Sequence, residues 1–186
     1  MRETENRKQS FPGVKDGETF EIAGIEFIKF PGKDGRTPVV MKDIAFYSRF
    51  GEEDNDFRKS IILKKLEDEY LPLMIEAIGE ENLCEIKTDL TALDGLKRYG
   101  VMESFVSLPT LDFYRENAET FGEYKPDCWW WLATPESAQT NSEPEWALCV
   151  SPAGCIVCHD HYFSDFGVRP FYILKSSIFE SSEDQQ

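Results

Sequence analysis

Trp129-Trp130-Trp131-Leu132-Ala133-Thr134-Pro135 opens the C-terminal part of the chain, and Gly167-Val168-Arg169-Pro170-Phe171-Tyr172-Ile173-Leu174 nearly closes it. Three adjacent indoles cannot all face water cheaply, since each aromatic buries about 150–250 Å² in the core it joins. Trp129, Trp130 and Trp131 are therefore expected to seat in the core on both faces of a covered strand. Turn residues punctuate strand-like stretches at about 128 to 133, 146 to 150, 155 to 159 and 168 to 174. Running up and down beside one another, these would form a C-terminal twisted antiparallel sheet. Arg169, flanked by Val168 and Pro170, would be partly buried in it and must be paired, with Asp127, Asp165 or a backbone carbonyl as partner.

Further upstream, Thr19 to Phe30 carries β-branched and aromatic residues around Gly24. The turn cluster Pro31-Gly32-Lys33-Asp34-Gly35 separates it from Pro38-Val39-Val40-Met41, so the domain opens on an antiparallel hairpin or meander. The period then changes: Phe57, Ile61, Ile62, Leu66 and Tyr70 recur at helical spacing, with Asp54, Asn55 and Asp56 as N-caps. Pro72 would cost about 3 kcal/mol inside that helix but suits the first turn of a new one, which predicts a second helix over Leu73 to Ile78, stopped by Gly79. Thr110 caps a third, through Leu111, Phe113 and Tyr114. Strands at both ends around two to three short helices make the fold α+β. One domain over 17–175 is expected, with a flexible segment at 1–16 and a polar acidic tail at 176–186.

Two motifs carry a resemblance. Trp130-Trp131-Leu132-Ala133-Thr134-Pro135 resembles the Trp-Trp-Leu-Arg-Ser-Pro signature, and Gly167-Val168-Arg169-Pro170 matches the Gly-Val-Arg-Pro signature, of a bacterial family known as domain of unknown function 6273. Weaker similarity at Phe57-Arg58-Lys59 and Phe105-Val106-Ser107-Leu108 extends it over roughly residues 17 to 174. The first motif departs at Ala133, which stands where the family has Arg. The order of hairpin, helices and Trp-rich terminal sheet is also similar to the C-type-lectin-like fold, which hosts sugar-binding lectins, variable receptor-binding proteins of phages and bacteria, and formylglycine-generating enzymes. The resemblance implies a carbohydrate- or protein-recognition module of bacterial or phage origin.

In a four-strand meander, loops 134 to 145 and 160 to 167 emerge at one end of the sheet. That surface would gather Glu136, Gln139, Asn141, Glu143, Glu145, Asp160, His161, Tyr162, Phe163 and Asp165, with Trp146 at its margin. Aromatics supply stiff contact area and polar groups orient a ligand. Glu143, Glu145, Trp146, His161, Tyr162, Phe163 and Asp165 are the candidate ligand contacts, and Trp129, Trp130, Trp131 and Arg169 the structural residues. Ser142-Glu143-Pro144-Glu145 is only distantly similar to the Glu-Pro-Asn calcium loop of lectins, and no Trp-Asn-Asp partner follows.

Cys155-Ile156-Val157-Cys158-His159 has the spacing of a haem-attachment motif and supplies zinc-type ligands. On a strand, however, Cys155, Val157 and His159 face one way and Ile156 and Cys158 the other, which separates the two sulfurs. A cysteine nucleophile served by His159 or His161 needs hydrogen-bond proximity that sequence does not show. Gly13, Gly17, Gly24, Gly32 and Gly35 build no phosphate loop. No catalytic residue, metal or cofactor is assigned. The alternatives to a non-enzymatic binder are a formylglycine-generating-like or other Cys/metal-dependent enzyme, and a structural component of a phage or bacterial assembly.

The 186 residues include 20 basic and 35 acidic side chains, a formal charge of −15 that repels nucleic acid and anionic membranes and keeps the chain in solution. A basic partner or a DNA-mimicking role is the more specific reading of that charge. No apolar run approaches the roughly 20 residues of a membrane span, no secretory signal is read, and five scattered cysteines fit reduced thiols. A cytoplasmic or phage-associated location is expected.

Overall fold

The computed structural model describes residues 10–139, 145–162 and 165–180. The fold is α+β, with two five-stranded sheets, a separate hairpin and a few short helices. β1 (Thr19–Ile22), β2 (Ile25–Lys29) and β3 (Arg36–Met41) form the expected antiparallel opening. Both turns are two-residue turns of positive φ: Ala23 and Gly24 at 50° and 80°, then Asp34 and Gly35 at 53° and 73°. That geometry matches the right-handed twist of the flanking strands. β4 (Phe46–Ser48) follows in the other sheet.

The helical region differs in its boundaries from the sequence expectation. Asp56 caps only one tight turn, Phe57–Lys59, and Ser60 Oγ accepts from Leu63 N at 2.9 Å to start α1 (Ile61–Lys65). A wider π turn over Leu66–Tyr70 leads directly into α2 (Leu71–Ile78). Pro72 does sit in the first turn of α2, yet the helical run from Ile61 to Ile78 is continuous. Gly79, at φ 85°, ends it. The short β5 (Leu83–Cys84) and the hairpin of β6 (Ile86–Asp89) and β7 (Val101–Ser104) lead to α3 (Leu111–Glu116), capped by Thr110, and to α4 (Ala118–Glu123).

The C-terminal strands are β8 (Trp130–Pro135), β9 (Trp146–Val150), β10 (Ile156–Asp160), β11 (Phe166–Val168) and β12 (Phe171–Lys175). They do not form the expected four-strand meander. β8, β9 and β10 are antiparallel neighbours, but β11 lies on the other side of β8, parallel to it, with Gly167 opposite Trp130. The single strand expected over 168 to 174 is two strands in two sheets. The second sheet runs β10-β9-β8-β11-β4, whereas β12 enters the first, between β3 and β5, in the order β1-β2-β3-β12-β5.

Both faces of β8 are covered. Trp131 and Ala133, with Ala147, Cys149 and Val168, pack into the cluster that holds Phe50, Phe57, Ile62, Leu66 and Tyr172. Trp130 and Leu132, with Leu148 and Val150, pack under α3 and α4 against Leu111, Tyr114 and Phe121. Trp130 and Trp131 are fully buried, and Trp131 Nε1 donates to the Ser48 carbonyl at 2.8 Å. Trp129 is half-buried, stacked on Phe166 at 5.6 Å. Packing also reaches into the segments expected to be loose. Phe11 lies 4.8 Å from Phe20 and 5.9 Å from Phe179, and its N–H donates to the Ile178 carbonyl at 2.7 Å. No helix among the described residues is long and apolar enough to cross a membrane.

Arg169 stands where the chain changes sheets and is fully buried. Its partners are two backbone carbonyls, not Asp127 or Asp165: Nε donates to Met41 O at 3.0 Å and Nη2 to Lys42 O at 2.8 Å. The guanidinium also lies over Trp130 and Phe121, 5.0 and 5.5 Å from their centroids. Burial holds its pKa down to about 10, against the smaller opposing pull of Asp43, Cys128 and Tyr114. An unmade hydrogen bond at a buried group costs about 1–3 kcal/mol. Arg169→Ala, which orphans two carbonyls and opens a cavity between two rings, is expected to destabilise the protein by about 3 kcal/mol or more in urea unfolding. A change below about 1 kcal/mol would remove the corner from the stability account.

Candidate binding rim

Register places the candidate surface. Asp160 is opposite Trp146 and His159 opposite Ala147, which in turn faces Pro135 on β8. The chain after Pro135, before Trp146 and after Asp160 therefore emerges at one end of the second sheet. Glu145 and Trp146 are brought there beside His161 and Tyr162, and His161 N donates to Glu145 O at 2.8 Å. Asp165 stands exposed just ahead of β11, whose Phe166 ring lies 4.9 Å from the His159 ring. Asn141, Glu143 and Phe163 lie outside the described residues.

His161 does not present itself to a ligand. It is only 6% exposed. Its carbonyl accepts from Phe50 N and Gly51 N at 3.0 and 3.3 Å, and Nδ1 lies 3.2 Å from Gly51 O. The residue joins the rim to the segment after β4. Trp146 and Tyr162 are the large exposed rings there, at 44% and 52%. Tyr162 is anchored through its N–H, which donates to Asp160 Oδ1 at 2.8 Å. The Arg49 guanidinium lies 5.2 Å from the Tyr162 ring centroid, and Arg49 also reaches Glu52 at 3.4 Å.

The residue that sequence reading missed is Asn55, a helix cap by expectation and the central support of the rim in the structure. It is fully buried. Its Nδ2 donates to Ser137 O at 2.9 Å and Trp146 O at 2.8 Å, while Oδ1 accepts from the Tyr99 hydroxyl at 2.7 Å. The adjoining backbone is tied as well, Glu136 N to Trp146 O at 3.0 Å and Leu93 N to Pro135 O at 3.0 Å. An Asn amide supplies donors and acceptor together, which suits a site where two carbonyls and a hydroxyl converge. The only sequence signal was an Asn in an Asp-rich turn, which reads equally as a cap.

The thiols are dispersed. Val157 packs with one cluster while Ile156 and Cys158 pack with the other, in keeping with strand alternation. Burial pushes the Cys149 thiol up to about 12; burial and then Glu136 push Cys158 upward. His159 Nδ1 is buried with no hydrogen-bond partner among the described residues. Among the described residues no three His, Cys, Asp or Glu side chains are grouped so as to hold a metal ion. What the rim offers is two exposed rings, a guanidinium on one of them, and the carboxylates of Glu145 and Asp160 on a hydrogen-bonded backbone.

Asn55→Ala is expected to cost about 2–3 kcal/mol and to speed amide exchange at Glu136, whose acceptor carbonyl on Trp146 loses its second tie. Unchanged exchange would mean that Asn55 does not support the rim. Burial also pushes the Tyr99 hydroxyl from its ordinary value of 10.0 to about 12. The unfolded hydroxyl ionises first, so its contribution to stability is complete below pH 10 and lost as pH rises to about 12. The melting temperature should therefore fall less steeply across that window in Tyr99→Phe than in the parent chain; equal slopes would contradict this.

No protein-family model, curated protein or solved structure matches the chain.

Proposed function

We propose that the chain is a non-enzymatic binding module of C-type-lectin-like fold, which recognises a glycan or protein surface through the rim at the Pro135 end of the second sheet. One observation carries this reading: Trp146 and Tyr162 expose large rings on adjoining segments that buried polar groups hold in place. Exposing such rings is unfavourable unless something covers them, and a rigid aromatic loses little entropy on binding. The surrounding mixture of Arg49, Glu145 and Asp160 supports oriented recognition, where a bare apolar patch would favour unspecific association. The fold assignment draws support from the opening hairpin, the central short helices and the Trp-rich sheet ending in Gly167-Val168-Arg169-Pro170.

A glycan array and a crosslinking pull-down with the full chain should each be run beside Trp146→Ala and Tyr162→Ala. Loss of one ring contact at the centre of an interface costs about 2 kcal/mol or more, a drop in affinity of roughly thirtyfold. Retention of full affinity by both variants, for whichever ligand is captured, would move the binding surface elsewhere.

A further inference from the structure

An open strand edge lies on the second sheet. β10 is its last strand, paired on one side only, with β9, over five consecutive residue pairs without a bulge. Cys155 O accepts from Ser151 N at 2.9 Å and His161 N donates to Glu145 O at 2.8 Å, so the odd-numbered residues between them turn their backbone groups to β9. Ile156, Cys158 and Asp160 therefore aim their N–H and C=O groups the other way. Among the described residues no backbone group meets them there. Burial follows the same gradient: every residue of β8 is buried, all but Trp146 in β9, and none in β10.

Such a row of unpaired groups is a template for another strand, and proteins guard it with charge, shortness or bulges. The other edges are guarded in this way. β5 has two residues and β4 three, while β1 carries Glu21, β6 Lys87 and Asp89, and β7 Glu103, all exposed. β10 carries neither proline nor basic residue, and its one carboxylate, Asp160, stands at its end. Its apolar side chains serve both faces: Val157 packs with one core cluster, Ile156 and Cys158 with the other.

We propose that β10 is a self-association edge, which pairs antiparallel with β10 of a second copy of this chain about a twofold axis at Cys158. The register argues for this occupant. Centred on Cys158, the strand is its own complement: Cys158 meets the partner's Cys158, Ile156 meets the partner's Asp160, and every outward N–H and C=O of β10 is bonded. Val157 then lies opposite the partner's His159 and each Asp160 opposite an isoleucine, so no like charges are opposed across the strands. Even-numbered residues meet even-numbered residues, which keeps both core faces continuous from one copy to the next. Each chain bears −15, but at about 0.15 M salt exposed charges more than about 8 Å apart are largely screened. The product is one sheet with five strands from each copy and the two Pro135 ends at opposite poles.

Light scattering of the full chain from roughly 1 µM to roughly 1 mM should show the mass rise from one chain to two. Amide exchange followed by NMR on the same unaltered chain locates the contact. Between about one-tenth and about nine-tenths dimer, exchange at Ile156, Cys158 and Asp160 should slow by roughly tenfold, while Val157 and His159, already bonded to β9, change little. Cys158→Pro removes the central outward N–H and leaves the β9 ladder bonds intact, so it should hold the chain monomeric at roughly 1 mM with its other strand amides still protected. A chain that stays monomeric throughout, a dimer that survives Cys158→Pro, or a dimer whose amides at Ile156, Cys158 and Asp160 exchange as fast as in the monomer would overturn the proposal.

Discussion

A guanidinium shut away from water holds two sheets together at one corner. The chain changes sheets twice in this neighbourhood, between β3 and β4 and again between β11 and β12. Arg169 belongs to the second crossing and donates to the carbonyls of Met41 and Lys42, which begin the first. The backbone returns the contact: Met41 N donates to Pro170 O at 2.9 Å and Ala45 N to Val168 O at 2.9 Å. Pro170, with no N–H, cannot continue the ladder of β11, and a ladder broken there frees Phe171 to begin a strand elsewhere. Burying a charge at such a junction is costly, and the two carbonyls and two ring faces that meet the guanidinium offset that cost.

The same economy of buried polar groups governs the opposite end of β8. Asn55 and His161 are buried polar residues: Asn55 bonds the Ser137 and Trp146 carbonyls and the Tyr99 hydroxyl, and the His161 ring lies against Gly51 O. A loop leaves its carbonyls in water unless something inside the protein reaches them. Asn55 reaches Ser137 and Trp146, and the Phe50–Gly51 backbone reaches His161, so the rim is tied to both the helical region and β4. Its exposed rings therefore stand on a fixed frame.

Much of this was legible in the sequence, and the failures have physical causes. The opening strands were readable because alternation and turn chemistry agree: Gly24 and Asp34-Gly35 supply positive φ where two-residue turns need it. The indole run told that β8 is covered on both faces, since alternate side chains of a strand must then enter different cores. β5, β6 and β7 escaped notice because they are short and their inward positions are few; in β6 one of the two is Thr88, which bonds to Ser107 instead of packing as a hydrophobe. The meander was wrong because strand periodicity carries no information about which neighbour a strand takes. The stretch from Val168 to Leu174 reads as one strand, whereas Pro170 within it marks the change of sheet.

Of the proposed rim, the part that follows from antiparallel pairing of β8, β9 and β10 was legible, and the part that required β11 was not. Trp146, Glu145 and Tyr162 come together because a strand pair fixes which ends coincide. Thus β8 serves two distinct chemistries through its two ends. At Trp130 it supplies a ring face to a buried cation, and at Pro135 it launches the loop whose return through Trp146 sets an aromatic on the surface. Since its middle is packed on both faces, neither end can shift without disturbing indoles that are fully enclosed. That rigidity is the physical reason a short, bulged strand can hold an exposed aromatic rim and a buried corner in fixed relation.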